Sequence, residues 1–282
     1  LKAPEVAYAC PSTLDEALTL LSRHGDEARP LAGGQSLVTA LNMRLAAPAL
    51  LVDLNRIPDL AGITRRDGVV RVGAMTRHRD LGASDLVRDH LPLVAAAVPH
   101  IAHPAIRNRG TLGGSVALGD PAAELPACCL ALGATMVLRG QGGERRVPAD
   151  AFFLGLYATA IAPAEILVAI EFPLPEPGAV WGFQELARRH GDYALAGLAA
   201  TARRRERGLD AVRLVFFGVG DRPVLARGAS AALAGAGIRA AQAALDADID
   251  PPDDVAVKGR TRRHLARVLL GRVAGGMLEG AP

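Results

Sequence analysis

Arg29-Pro30-Leu31-Ala32-Gly33-Gly34-Gln35-Ser36-Leu37 passes from a short apolar stretch through a glycine pair into leucines at helical spacing (Leu37, Leu41, Leu45), and Leu50-Leu51-Val52-Asp53-Leu54 follows. Strand, glycine turn, helix, strand is the order of a βαβ unit. Upstream, Ser12-Thr13-Leu14-Asp15-Glu16 places a capping hydroxyl before acids. Ala17, Leu18, Leu20 and Leu21 then carry a helix that Gly25 stops.

Downstream, Val69 to Gly73 alternates as a strand, Thr76 to Val87 reads as one helix and Leu93 to Val98 as another. His100 to Ser115 reads as a loop rich in His, Pro, Arg and Gly. Ala122 to Leu132 suits a helix, Thr135–Arg139 and Arg145–Val147 a hairpin around Gly140–Gly143, and Glu165 to Phe172 a further strand. Pro173, Pro175, Pro177 and Gly178 then punctuate the chain as a domain boundary does. Beyond them, strands over Trp181–Leu186, Ala194–Arg203 and Val212–Gly218 precede helices near 229–235, 238–247 and 259–276, the order of an α+β domain. The expected division is 1–176, with subdomains of about 1–56 and 57–176, followed by 177–282.

The composition suits a globular α/β-type chain: 282 residues, 50% hydrophobic and 22% charged. The net charge of +3 comes from 32 basic and 29 acidic residues that are intermixed, and aromatics are 4%, so nucleic-acid binding is not expected. Arg203-Arg204-Arg205-Glu206-Arg207 and Arg260-Thr261-Arg262-Arg263 read as solvated faces or a docking surface for a partner. Three cysteines cannot build a disulfide framework, and Cys10, Cys128 and Cys129 read as packing residues in a reducing compartment. No stretch approaches a membrane span and no secretory signal opens the chain, so a cytoplasmic protein is expected.

Two glycine-bearing loops carry the chemistry: Ala32-Gly33-Gly34-Gln35-Ser36 and Thr111-Leu112-Gly113-Gly114-Ser115. Each sets a glycine pair beside a hydroxyl, where backbone N–H groups can meet a pyrophosphate. Neither matches the Rossmann or P-loop fingerprint, and taken singly a glycine pair is usually a turn. His100-x-x-His103 lacks further ligands for a metal. Asp120 before Pro121 is as good a helix cap as an acid, and no general acid is assigned.

Together, Ala32–Leu37, Ile106-Arg107-Asn108-Arg109-Gly110-Thr111-Leu112-Gly113-Gly114-Ser115, Asp120-Pro121-Ala122-Ala123-Glu124-Leu125-Pro126 and Arg188-Arg189-His190-Gly191-Asp192-Tyr193-Ala194 resemble the FAD-binding medium subunit of molybdenum hydroxylases, over the whole chain. The resemblance implies an α+β fold of the vanillyl-alcohol-oxidase (PCMH) type, with two subdomains holding FAD and a C-terminal domain of a small antiparallel sheet and helices. It implies an oxidoreductase component that passes electrons from an iron–sulfur subunit through FAD to an external acceptor. A molybdopterin-type cofactor on a large subunit and two 2Fe–2S clusters on a small subunit complete such an enzyme, in a dimer of heterotrimers. Three cysteines, two of them adjacent, cannot ligate those clusters here.

Carried over by resemblance, the backbone of Ala32, Gly33, Gly34, Gln35 and Ser36 and of Thr111, Gly113, Gly114 and Ser115 binds the pyrophosphate and its surroundings. Ile101 lies beside the ligand, Glu124 accepts from a cofactor hydroxyl, Leu167 offers a main-chain contact near the flavin, and Tyr193 covers the isoalloxazine. Gln184 stands where xanthine-oxidising relatives have a lysine. Ser115 and Leu118 also depart from the family pattern. Arg107 and Arg109 orient the cofactor loop or face the iron–sulfur subunit. The substrate expected on the large subunit is an N-heterocycle or purine-like compound, with carbon monoxide as the alternative. A stand-alone flavin oxidase and a structural subunit that has lost its cofactor are the remaining readings.

Overall fold

The computed structural model describes residues 2–255 and 257–279. Three parallel strands open the fold, Ala7–Ala9, Leu50–Asp53 and Ala28–Leu31, with Leu50–Asp53 in the middle. The helix Leu14–His24 covers them. Thr13 caps it by accepting from the Glu16 N–H, Glu16 reaches back to Thr13, and Ala17, Leu18 and Leu21 are buried. The next helix is only Leu37–Asn42, so Leu45 lies beyond it and is exposed.

The second sheet is antiparallel throughout, in the order Ile63–Arg66, Val69–Gly73, Ile166–Pro173, Thr135–Gly140, Gly143–Pro148. Its central strand is buried from Ile166 to Phe172. Leu167, Ile170 and Phe172 pack into one core, while Ile166, Val168 and Ala169 pack with the first subdomain. A strand covered on both faces shows an unbroken apolar run rather than alternation. Its one acid, Glu171, meets Arg71 of the adjacent strand (2.7 Å) and Arg146 of the edge strand beyond Thr135–Gly140 (2.8 Å).

Two expectations are corrected. Thr76–Val87 is not one helix: His78–Ala83 and Asp85–His90 are separated by Ser84, whose extended backbone lets its hydroxyl accept from the Val87 N–H. His100–Ser115 is not all loop, because it contains the helix Pro104–Arg107 and the start of the helix Leu112–Leu118, with Thr111 as N-cap. The short strands at 7–9, 63–66, 153–155, 158–159 and 224–225 carry too few residues to show a period.

The C-terminal sheet orders Ala179–Leu186, Ala196–Arg204, Leu209–Phe217 and Val224–Leu225. Alternation assigns its two faces. Leu198, Ala200, Leu214 and Phe216 meet the helices Arg227–Ala236, Ile238–Asp248 and Gly259–Glu279. Phe183, Ala199, Val215 and Phe217 face the other way and join the core of the preceding residues. The Thr201 hydroxyl donates to the Ala131 carbonyl (2.9 Å) and Arg213 to that of Leu130 (2.7 Å), which fixes this sheet against the helix Glu124–Ala131.

Candidate functional site

The two glycine loops meet. A Cβ on Gly33 would come within 2.8 Å of the Arg109 carbonyl carbon and the Gly110 Cα, and one on Gly114 within 3.4 Å of the Ala32 side chain. Gly113 lies equally close on Ala74, where a Cβ would sit 2.6 Å from the Ala74 oxygen. Glycine is required at Gly33 and Gly113 because backbone approaches backbone, whereas at Gly114 the tight neighbour is the Thr111 hydroxyl (2.8 Å).

A polar network holds the pair together. The Asn55 side-chain amide donates to the Ala32 carbonyl (2.9 Å), and Arg77 donates both to the Asn55 side chain and to the Arg109 carbonyl. Asp53 anchors Asn55 by accepting from its N–H (2.9 Å) and also accepts from the Tyr8 hydroxyl (2.5 Å). Burial pushes the Asp53 carboxyl up, but these hydrogen bonds, with Arg109 nearby, hold it below the usual carboxylate range. Beneath Gly110 lies buried His78, whose proton affinity is lowered to about 4 by desolvation and then by Arg107 and Arg77. The ring is therefore neutral at pH 7.

The loops differ in what they offer a ligand. Among the described residues the N–H groups of Gly34, Gln35 and Ser36 have no hydrogen-bond partner, and Gly34 takes a left-handed φ of 74°. In the second loop Gly113, Gly114 and Ser115 donate instead to Ala74 (2.8 Å), the Thr111 hydroxyl (3.0 Å) and the Thr111 carbonyl (3.1 Å). Only Thr111 there keeps an unpaired N–H among the described residues. The second loop thus supplies shape and support, the first supplies donors. They border a cleft of about 310 Å³ lined by Gly33, Gly34, Gln35, Asn55 and Arg109 among others. Convergent free N–H groups beside a cation fit a phosphate-bearing cofactor.

A second group of residues gathers where the C-terminal domain meets the rest. Arg107 donates to the carbonyls of Pro99 (3.2 Å), Ile101 (2.8 Å) and Ala102 (2.9 Å). Gly191, at a φ of 85°, sits on Ala102, where a Cβ would be 2.9 Å from its oxygen. Buried Arg262 donates to the carbonyls of Leu195 (2.7 Å) and Gly218 (2.6 Å). Tyr193 is carried between these anchors and stays 71% exposed, a ring free to cover a flat ligand. Glu124 is buried and bonded to no other residue among those described; desolvation chiefly raises its carboxyl to about 7, against the opposing pull of its own N–H. Glu185 pairs with His100 at 3.3 Å, and its second oxygen is buried without a partner.

Leu167 is buried beside a register shift in the central strand, next to Val168, whose carbonyl accepts from Ala74 behind Gly113. Gln184 is not brought to this junction. It pairs with Leu198, on the face turned toward the C-terminal helices, while neighbouring Glu185 faces His100. Strand alternation puts adjacent residues on opposite faces. Asp120 caps no helix: it accepts from the Ala122 N–H (2.9 Å), and the helix begins at Glu124 after Ala123. Cys128 and Cys129 are wholly buried and burial pushes both thiols up, as suits packing residues. Among the described residues no cluster could hold a metal, and no helix is long and apolar enough to cross a membrane. Sequence reasoning missed Asn55, Arg77 and His78; the one usable signal was Asp53-Leu54-Asn55 at the carboxyl end of a strand, where open α/β sheets bind ligands.

The fold and the cleft bordered by the two glycine loops define a class of protein suited to hold a phosphate-bearing cofactor. Residues 4–175 match the FAD binding domain in molybdopterin dehydrogenase, and residues 181–276 match the CO dehydrogenase flavoprotein C-terminal domain. The chain is 37% identical to the 6-hydroxypseudooxynicotine dehydrogenase complex subunit alpha of Paenarthrobacter nicotinovorans, covering 100% of this chain and 97% of that one. It is 40% identical to the carbon monoxide dehydrogenase medium chain of Hydrogenophaga pseudoflava, over 89% of this chain and 90% of that one. Among solved structures, quinoline 2-oxidoreductase from Pseudomonas putida 86 superposes with a TM-score of 0.94 at 36% identity, covering 100% of this chain and 99% of that one. The chain belongs to the FAD-binding medium subunits of the molybdenum hydroxylases. It is an oxidoreductase component, and its cofactor is FAD.

Proposed function

We propose that this chain works in a complex with a small iron–sulfur subunit and a large molybdenum-cofactor subunit, arranged as a dimer of heterotrimers in the cytoplasm. Bound FAD supplies the two-electron carrier between the clusters of the small subunit and an external acceptor. The residues of this chain bind, orient and shield it. Gly34, Gln35 and Ser36 donate N–H groups to the pyrophosphate, with Ala32 and Gly33 setting their backbone. Thr111, Gly113, Gly114 and Ser115 form the opposite wall, with Gly113 buttressed on Ala74 and Leu167 behind it. At the outer junction Glu124 meets a cofactor hydroxyl, Ile101 borders the ring system and Tyr193 covers it. Gln184 contributes no contact, and Glu185 takes the position turned toward the FAD-binding residues.

The observation that carries this reading is that, among the described residues, the N–H groups of Gly34, Gln35 and Ser36 are unpaired on a loop locked by Asn55 and Arg77 against a second loop. The substrate belongs to the large subunit; relatives named for a nicotine-derived compound and for quinoline support an N-heterocycle, and the carbon monoxide dehydrogenase medium chain supports carbon monoxide as the alternative. Native purification tests the assembly. Flavin and iron–sulfur absorption with molybdenum and two further chains is the expected result; a single chain that carries flavin alone and oxidises an organic substrate would replace it with the stand-alone oxidase.

A further inference from the structure

We propose that the Arg109 guanidinium binds the cofactor's phosphates directly, sharing one anion-binding cleft with the N–H groups of Gly34, Gln35 and Ser36. The inference rests on the reading that the first glycine loop holds the FAD pyrophosphate. Its first support is the fixed origin of the side chain. The Arg109 N–H donates to Ile106 (3.1 Å), its carbonyl accepts from Arg77, and Gly33 packs on that same carbonyl. Arg109 lines the cleft of about 310 Å³ together with the first loop, and its guanidinium stands near enough to act on Asp53 and Arg77.

The second support is that the guanidinium is uncommitted. Among the described residues Arg109 makes no side-chain hydrogen bond or ion pair. Its neighbours are already engaged: Asp53 accepts from Tyr8 and Asn55, Arg77 is occupied by Asn55 and the Arg109 carbonyl, and Arg107 serves three carbonyls at the far end of its loop. The charges are the third support. Burial and then the nearby Arg109 disfavour the charge on Arg77, against the opposing carboxylates of Asp80 and Asp53. A diphosphate relieves that repulsion, and a guanidinium meets phosphate oxygens through two parallel N–H bonds. Riboflavin, which lacks phosphate, gains nothing from the same group.

The test compares FAD and riboflavin binding to the deflavinated full chain by quenching of flavin fluorescence, for wild type, Arg109→Gln and Arg109→Lys. FAD affinity is expected to fall about tenfold in Arg109→Gln, the scale of one charge-assisted hydrogen bond, and to recover partly in Arg109→Lys. Riboflavin affinity is expected to stay within twofold, and the salt dependence of FAD binding to become shallower in Arg109→Gln. FAD binding within twofold of wild type at low salt, or an equal loss for riboflavin, would overturn the role of Arg109. Wild-type chain that binds FAD no better than riboflavin would instead sink the pyrophosphate cleft on which the inference stands.

Discussion

Gly33→Ala puts a single carbon where the two cofactor loops touch. The new Cβ would lie 2.8 Å from both the Arg109 carbonyl carbon and the Gly110 Cα, and closer still to the Arg109 oxygen, whereas ordinary contact begins at 3.4 Å. Those atoms are backbone and cannot swing aside, so the loops must part by roughly an ångström, at an overpacking cost of about 1–3 kcal/mol in stability. A phosphate bond of ordinary length stretched by that much leaves hydrogen-bonding range. Charge-assisted bonds contribute about 1.5–3 kcal/mol each, so loss of one or two of the three weakens FAD binding by about 3 kcal/mol, or roughly a hundredfold. Fluorescence titration of the deflavinated chain measures the affinity, and urea denaturation measures the stability. A variant that binds FAD within threefold of wild type and unfolds at the same urea concentration would refute the argument that the loops are in backbone contact.

Three further outcomes follow from the same geometry. Gly275→Ala lies inside the helix Gly259–Glu279 with nothing within 4 Å of the new carbon, so it should raise the urea midpoint through a gain of about 1 kcal/mol in helix propensity. Glu124, raised chiefly by desolvation to about 7 in the folded chain, binds its proton more tightly folded than unfolded. The cofactor-free chain should therefore lose stability as pH rises from the usual carboxylate range through 7. Glu124→Gln should abolish that loss, giving a gain of up to about 3 kcal/mol at pH 8 and almost none at pH 4, read from urea midpoints across pH. Arg262→Met leaves the Leu195 and Gly218 carbonyls without their donor, and should cost about 2–4 kcal/mol while speeding amide exchange around Tyr193 relative to the central strand.

The sequence by itself determined the elements whose signal is local. The helix Leu14–His24 carries its capping box and its glycine stop in adjacent residues, and the hairpin of residues 135–148 and the long C-terminal helix carry their periodicity in plain view. Both glycine loops were legible because residues that must bear close backbone approach are glycine, and four stretches in order carried the resemblance to a family. Tertiary structure alone decided which loop leaves its N–H groups free and which engages them: whether the N–H of Gly113 is free depends on Ala74, some forty residues earlier in the chain. It also decided that Asn55 and Arg77, ordinary polar residues by sequence, tie the two loops together. Gln184 shows the same limit from the other side. Its place beside a family lysine is a matter of alignment, but strand register with Leu198 turns it toward the C-terminal helices and gives the inward face to Glu185. Position along a chain fixes the alternation of a strand, but not which face another domain will cover, because that depends on contacts between residues far apart in sequence.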